Sequence, residues 1–145
     1  MFRGEFFHNI DAKGRVVLPS QLREGLGEKF VITCGYDGCL SIYSQEEWSK
    51  FEMRLAALPE HNAAARRIVR TFTSGASSCE ADKQGRILIP QPLREIAGIE
   101  KEVVIIGSLS KIELWSLEKW KAYTDSEDAL SLEEAAEKLS GLGGF

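Results

Sequence analysis

The sequence predicts an α+β fold, mainly short β-strands with short helices, built from two pseudo-symmetric halves. The first observation is a repeat: residues 11–27 read DAKGRVVLPSQLREGLG and residues 82–98 read DKQGRILIPQPLREIAG, identical at eight positions at a constant offset of 71. The second is that apolar runs are short and end at proline or glycine, which is typical of strands. A chain of two like halves can fold as its own dimer, so that each surface group occurs twice around an approximate two-fold axis.

Strands are predicted first at residues 15–18 and 86–89, where valine, isoleucine and leucine follow an arginine. Proline ends both runs because it cannot donate to a strand ladder. A hairpin with a four-residue loop containing glycine then follows in each half. The predicted hairpin strands are residues 30–34 and 39–43 in the first half, and residues 103–106 and 111–115 in the second.

Short helices are predicted between these strands and the hairpins. Ser20 is a suitable N-cap for the first helix, and Pro92 suits the first helical position of the second, where a missing N–H costs nothing. Gly27 and Gly98 are expected to end the helices as left-handed caps. Two longer helices between the halves are indicated by apolar stripes that favour core packing. The stripes contain Trp48, Phe51, Leu55 and Leu58, ended by Pro59, and then Ala65, Ile68, Val69 and Phe72.

These elements predict a simple domain organisation. Residues 5–48 and 76–120 form the two repeated units, and residues 49–75 form a helical connector between them. Residues 121–145 are expected to be an acidic, flexible tail, with a marginal helix at residues 132–139.

Composition and charge limit the classes of partner. The chain has 145 residues and a net charge of −4, but its acids are concentrated at the end. From Asp125 onward there are six acids and one base, so the rest of the chain is close to neutral with basic regions. No apolar run reaches the length of a membrane span, and no signal-peptide core begins the chain, so we expect a cytoplasmic protein without a membrane partner.

Two loops carry the candidate binding residues. Asp11 with Gly14 and Asp82 with Gly85 have the spacing of a type I turn, which explains these four residues without any function. Turn chemistry does not explain the arginine that follows each glycine, Arg15 or Arg86. Each arginine either pairs internally with the aspartate four residues before it, or presents its planar fork to a phosphate or a guanine edge. Both accounts can hold together.

Other candidate sites are weaker. Arg3, Lys13 and Lys83 are candidates for phosphate contacts. Arg23 and Arg94 are expected either to pair with the neighbouring Glu24 and Glu95 or to lie on a solvated face. A solvated surface is the expectation for Arg66, Arg67 and Arg70 on the second connector helix. Reduced, packed thiols are expected for Cys34, Cys39 and Cys79, with little support for a zinc site.

The pattern argues against an enzyme. The two histidines, His8 and His61, do not recur between the halves, and no nucleotide-binding or nucleophile motif is present. We expect no catalytic residue, no cofactor, no metal and no small-molecule substrate.

The doubled Asp-x-x-x-Arg motif resembles that of the MraZ family. The residues that carry the resemblance are Met1-Phe2-Arg3-Gly4-Glu5, Asp11 to Arg15 with Pro19, Asp82 to Arg86 with Pro90, and Glu113-Leu114-Trp115. The resemblance covers residues 1 to about 124 and implies two tandem SpoVT–AbrB-type domains. Each would be a swapped-hairpin β-barrel unit of the AbrB type, and the two would interlock.

The resemblance also implies a function. It implies a sequence-specific transcriptional regulator that forms a homo-oligomeric ring and associates with the nucleoid. Such a ring would bind double-stranded DNA at direct repeats upstream of the division and cell wall gene cluster, which includes its own gene. Arg15 and Arg86 would contact DNA, and Asp11 and Asp82 would complete the motif. The alternative is an AbrB-like or antitoxin-like module that binds another protein and has no independent DNA binding.

Overall fold

The centre of the structure is an antiparallel sheet of six strands, accompanied by a separate ribbon of two. The computed structural model describes residues 1–126 and 129–143. The strands are β1 (Glu5–Asn9), β2 (Arg15–Val17), β3 (Lys29–Cys34), β4 (Leu40–Ser44), β5 (Ser77–Glu80), β6 (Arg86–Leu88), β7 (Glu102–Ser108) and β8 (Lys111–Ser116). The helices are α1 (Ser20–Leu26), α2 (Gln45–Ala56), α3 (Ala63–Ser74), α4 (Gln91–Ala97), α5 (Leu117–Asp125) and α6 (Leu132–Ser140).

The two halves exchange their first strands. The sheet has the order β1-β7-β8-β4-β3-β5, so β1 of the first half pairs with β7 of the second, and β5 of the second half pairs with β3 of the first. The predicted α+β class with two pseudo-symmetric, interlocked halves is confirmed. The closed barrel in that prediction is not found in the described residues. The sheet is open, with β1 and β5 as its edges, because each of them has only one neighbouring strand.

The ribbon of β2 and β6 covers one face of this sheet. The two strands pair antiparallel with Val16 opposite Ile87, which places the pseudo-two-fold axis at that pair. Both side chains are buried and belong to the main apolar core, with residues from both halves of the sheet. Burying a side chain of this size stabilises the fold by roughly 1.5–3 kcal/mol. The ribbon therefore owes its stability to the sheet beneath it, since an isolated two-stranded ribbon is marginal in water.

The opposite face of the sheet is covered by longer helices. Trp48 of α2 packs on Val31 and Tyr43, and α5 packs on Val104 and Trp115. The core packing predicted for the connector helices holds for Trp48, Leu55 and Phe72, which are buried, but is wrong for Ile68, which is 38% exposed. The ribbon, α1 and α4 therefore lie on one side of the sheet, while α2 and α5 lie on the other.

Several predicted boundaries shift by a residue or more. Helices α1 and α4 have Pro19 and Pro90 at the N-cap position, so Ser20 begins its helix and caps nothing, and Pro92 is the second helical residue. Gly98 is left-handed as predicted, with φ 66° and ψ 28°. Gly27 is not, since its ψ is −170°, although its φ of 80° still favours glycine.

The second hairpin is longer than predicted. β7 extends to Ser108, so only two residues remain in its loop, and Leu109 adopts φ 61°. The N-terminal segment explains the difference. Phe2 forms a bridge with Leu109, and its N–H donates to the Leu109 carbonyl at 2.8 Å. A partner more than a hundred residues away in the chain thus extends the hairpin.

The end of the chain contains more helix than its composition suggests. α5 continues to Asp125, beyond the predicted start of the acidic tail, and α6 matches the marginal helix expected at residues 132–139. Glu127, Asp128, Gly144 and Phe145 of the predicted tail lie outside the described residues. Among the helices in the described ranges, none has the length and apolar character needed to cross a membrane.

The packing of the ribbon can be tested by two adjacent substitutions on β6. Ile87 is fully buried and Leu88 is 55% exposed. Ile87→Ala should lower the free energy of unfolding by about 2–5 kcal/mol, because it leaves a cavity between ribbon and sheet. Leu88→Ala should change it by less than about 0.5 kcal/mol. Urea unfolding curves of the two variants measure the difference, and equal losses would contradict this arrangement.

Candidate nucleic-acid interface

Each Asp-x-x-x-Arg loop is held by one carboxylate with three hydrogen bonds. Asp11 Oδ1 accepts from the backbone N–H groups of Lys13 and Arg15, each at 2.9 Å, and Asp11 Oδ2 accepts from Arg15 Nε at 2.8 Å. The second loop repeats this arrangement at Asp82, with Gln84 in place of Lys13 and Arg86 in place of Arg15, at the same distances. The aspartate therefore shapes the turn and fixes its arginine at the same time.

The glycine of each loop lets the chain turn tightly beneath a side chain of the other half. Gly14 and Gly85 have φ values of 86° and 79°, in the left-handed region where other residues are strained. Both are buried. A Cβ at Gly14 would overlap the guanidinium of Arg94, and a Cβ at Gly85 would overlap that of Arg23. The positive φ thus favours glycine, and any larger residue would also displace the arginine that lies over the turn.

Main-chain hydrogen bonds also join each loop to the opposite half. The Gly14 carbonyl accepts from Ile89 N–H at 2.9 Å, and the Gly85 carbonyl accepts from Leu18 N–H at 3.0 Å. These bonds extend the ribbon beyond its three paired residues at both ends. Each loop is consequently fixed by the strand of the other half as well as by its own aspartate.

Arg23 and Arg94 are structural, but not in the predicted way. The expected ion pairs with Glu24 and Glu95 do not occur among the described residues. Instead each guanidinium lies over the glycine of the opposite loop. Arg23 Nε donates to the Leu18 carbonyl at 2.9 Å, whereas the buried Nε of Arg94 has no hydrogen-bond partner within the described ranges. The sequence signal for this contact was that the repeat keeps both residues: Arg23 recurs as Arg94, and Gly14 recurs as Gly85.

The two motif arginines are partly exposed and only partly paired. The side chains of Arg15 and Arg86 each retain 29% of their accessible surface. Each uses Nε for its aspartate, and within the described ranges neither donates from its two terminal nitrogens to another residue. The internal pair considered from the sequence is present in both loops, and contact with a nucleic acid stays a prediction. The arginine is ion-paired internally, and the end of its fork remains available to a ligand.

The strand register places both arginines on one face of the ribbon. Arg15 lies opposite Leu88, and Val17 lies opposite Arg86. Directly opposed residues of an antiparallel pair point to the same side, and so do residues two apart on one strand. The outward face therefore consists of four side chains in a diagonal pattern, two guanidinium groups and two apolar groups. The inward face holds Val16 and Ile87.

The remaining basic candidates lie at different places. Lys13 and Lys83 are exposed within the two loops, beside the motif arginines in the chain. Arg3 is also exposed, but its backbone lies against Gly107 in the hairpin of β7 and β8. In the described part of the chain, no hydrogen bond or ion pair joins Arg3 to the loops. The structure thus brings four of the five basic candidates to the ribbon and its loops, and leaves Arg3 apart.

Comparison with known proteins agrees with the duplicated structure. A family model for the MraZ protein, described as antitoxin-like, matches the chain twice, at residues 1–71 and 72–142. The chain belongs to the MraZ family. The second match begins 71 residues after the first, which is the offset of the repeat. Each match contains one Asp-x-x-x-Arg loop, so the family pattern and the structural halves coincide.

Similarity to individual relatives extends over the whole chain. It is 54% identical to a transcriptional regulator MraZ from Acetivibrio thermocellus, over 99% of both chains. It is 55% identical to one from Heliobacterium modesticaldum, over 96% of both chains. A third relative of the same name, from Desulforamulus reducens, is 50% identical over 98% of this chain and 99% of its own.

The three cysteines are packed inside the protein. Cys34, Cys39 and Cys79 are free and buried, as expected for packed thiols. Burial raises the pKa of Cys39 to about 12 and that of Cys79 to about 11, so both remain protonated near neutral pH. Among the described residues, no group of three or more histidine, cysteine, aspartate or glutamate side chains is placed to share a metal ion.

The loop aspartates should give the protein a specific response to acid. Hydrogen bonds from the backbone of Arg15 lower the pKa of Asp11, and those from Arg86 lower the pKa of Asp82; burial opposes both shifts. A carboxyl group with a lowered folded-state pKa adds stability above its ordinary pKa of about 3.9, and this is lost as pH falls through the lowered value.

The double variant Asp11→Asn with Asp82→Asn tests this dependence. Asparagine keeps an acceptor for the backbone N–H groups but cannot ionise. We expect its melting temperature to lie below that of the wild type by a constant amount between about pH 8 and pH 5. The difference should shrink as pH falls below roughly 4. Thermal unfolding followed by circular dichroism measures both proteins, and a difference that widens in acid would contradict the assignment.

Proposed function

We propose that this protein is a transcription regulator that binds duplex DNA through the outward face of the β2–β6 ribbon. The observation that carries the proposal is the state of Arg15 and Arg86. Each guanidinium is oriented by an aspartate at Nε, its side chain keeps 29% of its accessible surface, and its terminal nitrogens have no hydrogen-bond acceptor among the described residues. The relatives named transcriptional regulators MraZ support the same class. Transcription regulators are a non-enzymatic class, in agreement with the sequence analysis.

The ribbon has dimensions that suit the major groove. A major groove of about 12 Å admits a two-stranded β-ribbon, and arginine binds the O6 and N7 atoms of guanine with two hydrogen bonds. Arg15 and Arg86 lie on different strands and two residues apart in register, which separates them by roughly 7 Å along the ribbon. The two guanidinium groups can therefore address different base pairs of one groove.

The other charged residues of the loops have supporting roles in this proposal. Asp11 and Asp82 complete the binding motif by holding the arginines in one orientation, which lowers the entropy lost on binding. Lys13 and Lys83 would contact phosphates beside the groove, and Arg3 would add a more distant phosphate contact. Because Gln84 replaces Lys13 in the second loop, the two halves contribute unequally to phosphate binding.

Assembly would compensate for the small number of contacts in one chain. The net charge of −4 opposes DNA binding, and one ribbon offers few cationic groups. We propose a homo-oligomeric ring that presents several ribbons to direct repeats upstream of the division and cell wall gene cluster. Repeats about 10–10.5 base pairs apart would place neighbouring subunits on one side of the duplex. Linked weak contacts raise avidity by about 10²–10⁴, which would hold the protein at the nucleoid in the cytoplasm.

A second candidate function follows from the family description. The matched family is described as antitoxin-like, which favours an AbrB-like module that binds another protein. A gel shift with the purified protein and the DNA upstream of its own gene separates the two candidates. A shift by the protein alone supports the regulator, and a shift that requires a co-purified protein supports the interaction module.

The arginines should carry the DNA affinity. Arg15→Ala and Arg86→Ala should each weaken binding to the upstream DNA by about 5- to 150-fold, the equivalent of about 1–3 kcal/mol for one two-bond base contact. Arg67→Ala removes the same charge from an exposed position on α3 and is the control. Fluorescence anisotropy at several salt concentrations measures binding, and the wild type should show a log–log slope near −0.9 per neutralised phosphate. Normal binding by both loop variants would refute the site.

Substitution of the aspartates separates orientation from simple charge attraction. Asp11→Asn and Asp82→Asn make the interface more positive, so charge attraction alone predicts tighter binding. We expect weaker binding instead, by about tenfold, because an asparagine nitrogen would face Arg15 Nε or Arg86 Nε and the fork would lose its charged hydrogen bond. The same anisotropy titrations measure this effect, and a gain in affinity would show that orientation is unimportant.

A further inference from the structure

Two apolar side chains on the outward face of the ribbon are exposed instead of packed into the core. Val17 is 39% exposed and Leu88 is 55% exposed, while their neighbours Val16 and Ile87 are buried. Neither belongs to the apolar clusters formed by the described residues. The two positions are equivalent, because residue 88 is residue 17 displaced by the repeat offset of 71. Both halves therefore expose an apolar group at the same point of the candidate interface.

Strand stability alone does not account for this pair. A solvent-facing strand position is well served by threonine or by a charged residue, which also protects against aggregation. Valine favours strands, but leucine is not among the residues enriched there. Single exposed apolar residues are common on protein surfaces. Here, however, both occupy one small face, each directly opposite one of the motif arginines in the strand register.

We propose that Val17 and Leu88 are specificity-determining residues that contact the methyl groups of thymine bases in the major groove. This inference rests on the proposed function and names two of its base contacts. The thymine methyl is the apolar group that the base pairs present in the major groove, where it accepts apolar side chains. Leu88 is longer than Val17 and reaches further into the groove, so its contact is the stronger of the two.

The register determines how apolar and charged contacts combine. Arg15 is opposite Leu88 and Arg86 is opposite Val17, and the Cβ atoms of such opposed pairs lie about 4.5–5.5 Å apart. Successive base pairs are separated by about 3.4 Å. Each pair of one arginine and one apolar residue therefore addresses the same or adjacent base pairs. The ribbon is thereby expected to prefer guanine with thymine close by, on either strand.

Charge argues against a second copy of this chain as the occupant of the same face. In a self-complementary contact across this face, Arg15 and Arg86 would meet the same two residues of the partner, which places like charges together. The apolar part of the face is only two side chains, whereas a stable protein interface buries about 1,200–2,000 Å². A polyanionic ligand that also carries small apolar groups can bind both the two arginines and the two apolar side chains of this face.

Replacement of thymine by uracil tests the inference directly. The duplex is the DNA upstream of this protein's own gene, amplified with either dTTP or dUTP, which removes the methyl groups and keeps the base pairing. The full-length wild type should bind the uracil duplex more weakly, by about fourfold for each contacted methyl group. The measured quantity is the ratio of the two dissociation constants, obtained by fluorescence anisotropy at one salt concentration.

The variants identify which residues cause this ratio. Leu88→Ala and Val17→Ala should each bring the ratio closer to one, with the larger change for Leu88→Ala, and the double variant should abolish most of it. Ile68→Ala is the matched control, since Ile68 is 38% exposed on α3, close to the 39% of Val17. It should keep the wild-type ratio. Because uracil alters duplex flexibility equally for all proteins, only the change of the ratio between variants counts.

The outcomes distinguish this inference from the proposed function. If the wild type binds the thymine duplex and the arginine variants lose binding, the function stands. An unchanged thymine-to-uracil ratio in the double apolar variant then overturns only the methyl contact. A changed oligomer mass of Leu88→Ala or Val17→Ala in light scattering also overturns it, because the face would then join subunits. Failure of the wild type to bind either duplex would overturn the function itself, and the methyl contact with it.

Discussion

The pairing of β2 with β6 is the interaction on which both the fold and the candidate interface depend. One strand comes from each half, and each strand is three residues long. Among the described residues, each has the other as its single neighbouring strand. Their inner side chains, Val16 and Ile87, are buried against the six-stranded sheet, so the outer side chains must face solvent. Burial of the inner face thereby determines where Arg15 and Arg86 point. One half alone could not form this surface, because it would lack half of the ribbon.

Contacts between the halves hold the loops in place. Arg23 of the first half covers Gly85 of the second, and Arg94 of the second covers Gly14 of the first. The exchange of β1 and β5 between the halves adds a second interlock, strengthened by a hydrogen bond of 3.0 Å from Trp120 Nε1 to Glu5 Oε2. A rigid loop loses little entropy when a ligand binds. The contacts between the halves thus hold the loops, while the aspartate of each loop orients its arginine.

The two halves are similar but not equivalent. Arg23 Nε has an acceptor at 2.9 Å, whereas the buried Arg94 Nε has none in the described part of the chain. A buried donor without a partner costs about 1–3 kcal/mol, so the first loop, which Arg94 covers, is held at a greater cost than the second. Together with Lys13 opposed to Gln84 in the repeat, this breaks the symmetry of the interface. In the proposed complex, the orientation of the chain on DNA would follow from these differences.

The sequence by itself determined the elements whose signals are local. The repeat, the strands after Arg15 and Arg86, and the turns at Gly14 and Gly85 depend on residues close together in the chain, so periodicity and turn chemistry predicted them. Only the tertiary structure decided the roles of β1, β5 and Arg94. β1 pairs with a strand almost a hundred residues away, β5 is short and serine-rich, and Arg94 packs on a loop of the other half. The outward position of Val17 and Leu88 was likewise decided by burial of their neighbours, because strand alternation alone does not say which face meets the core.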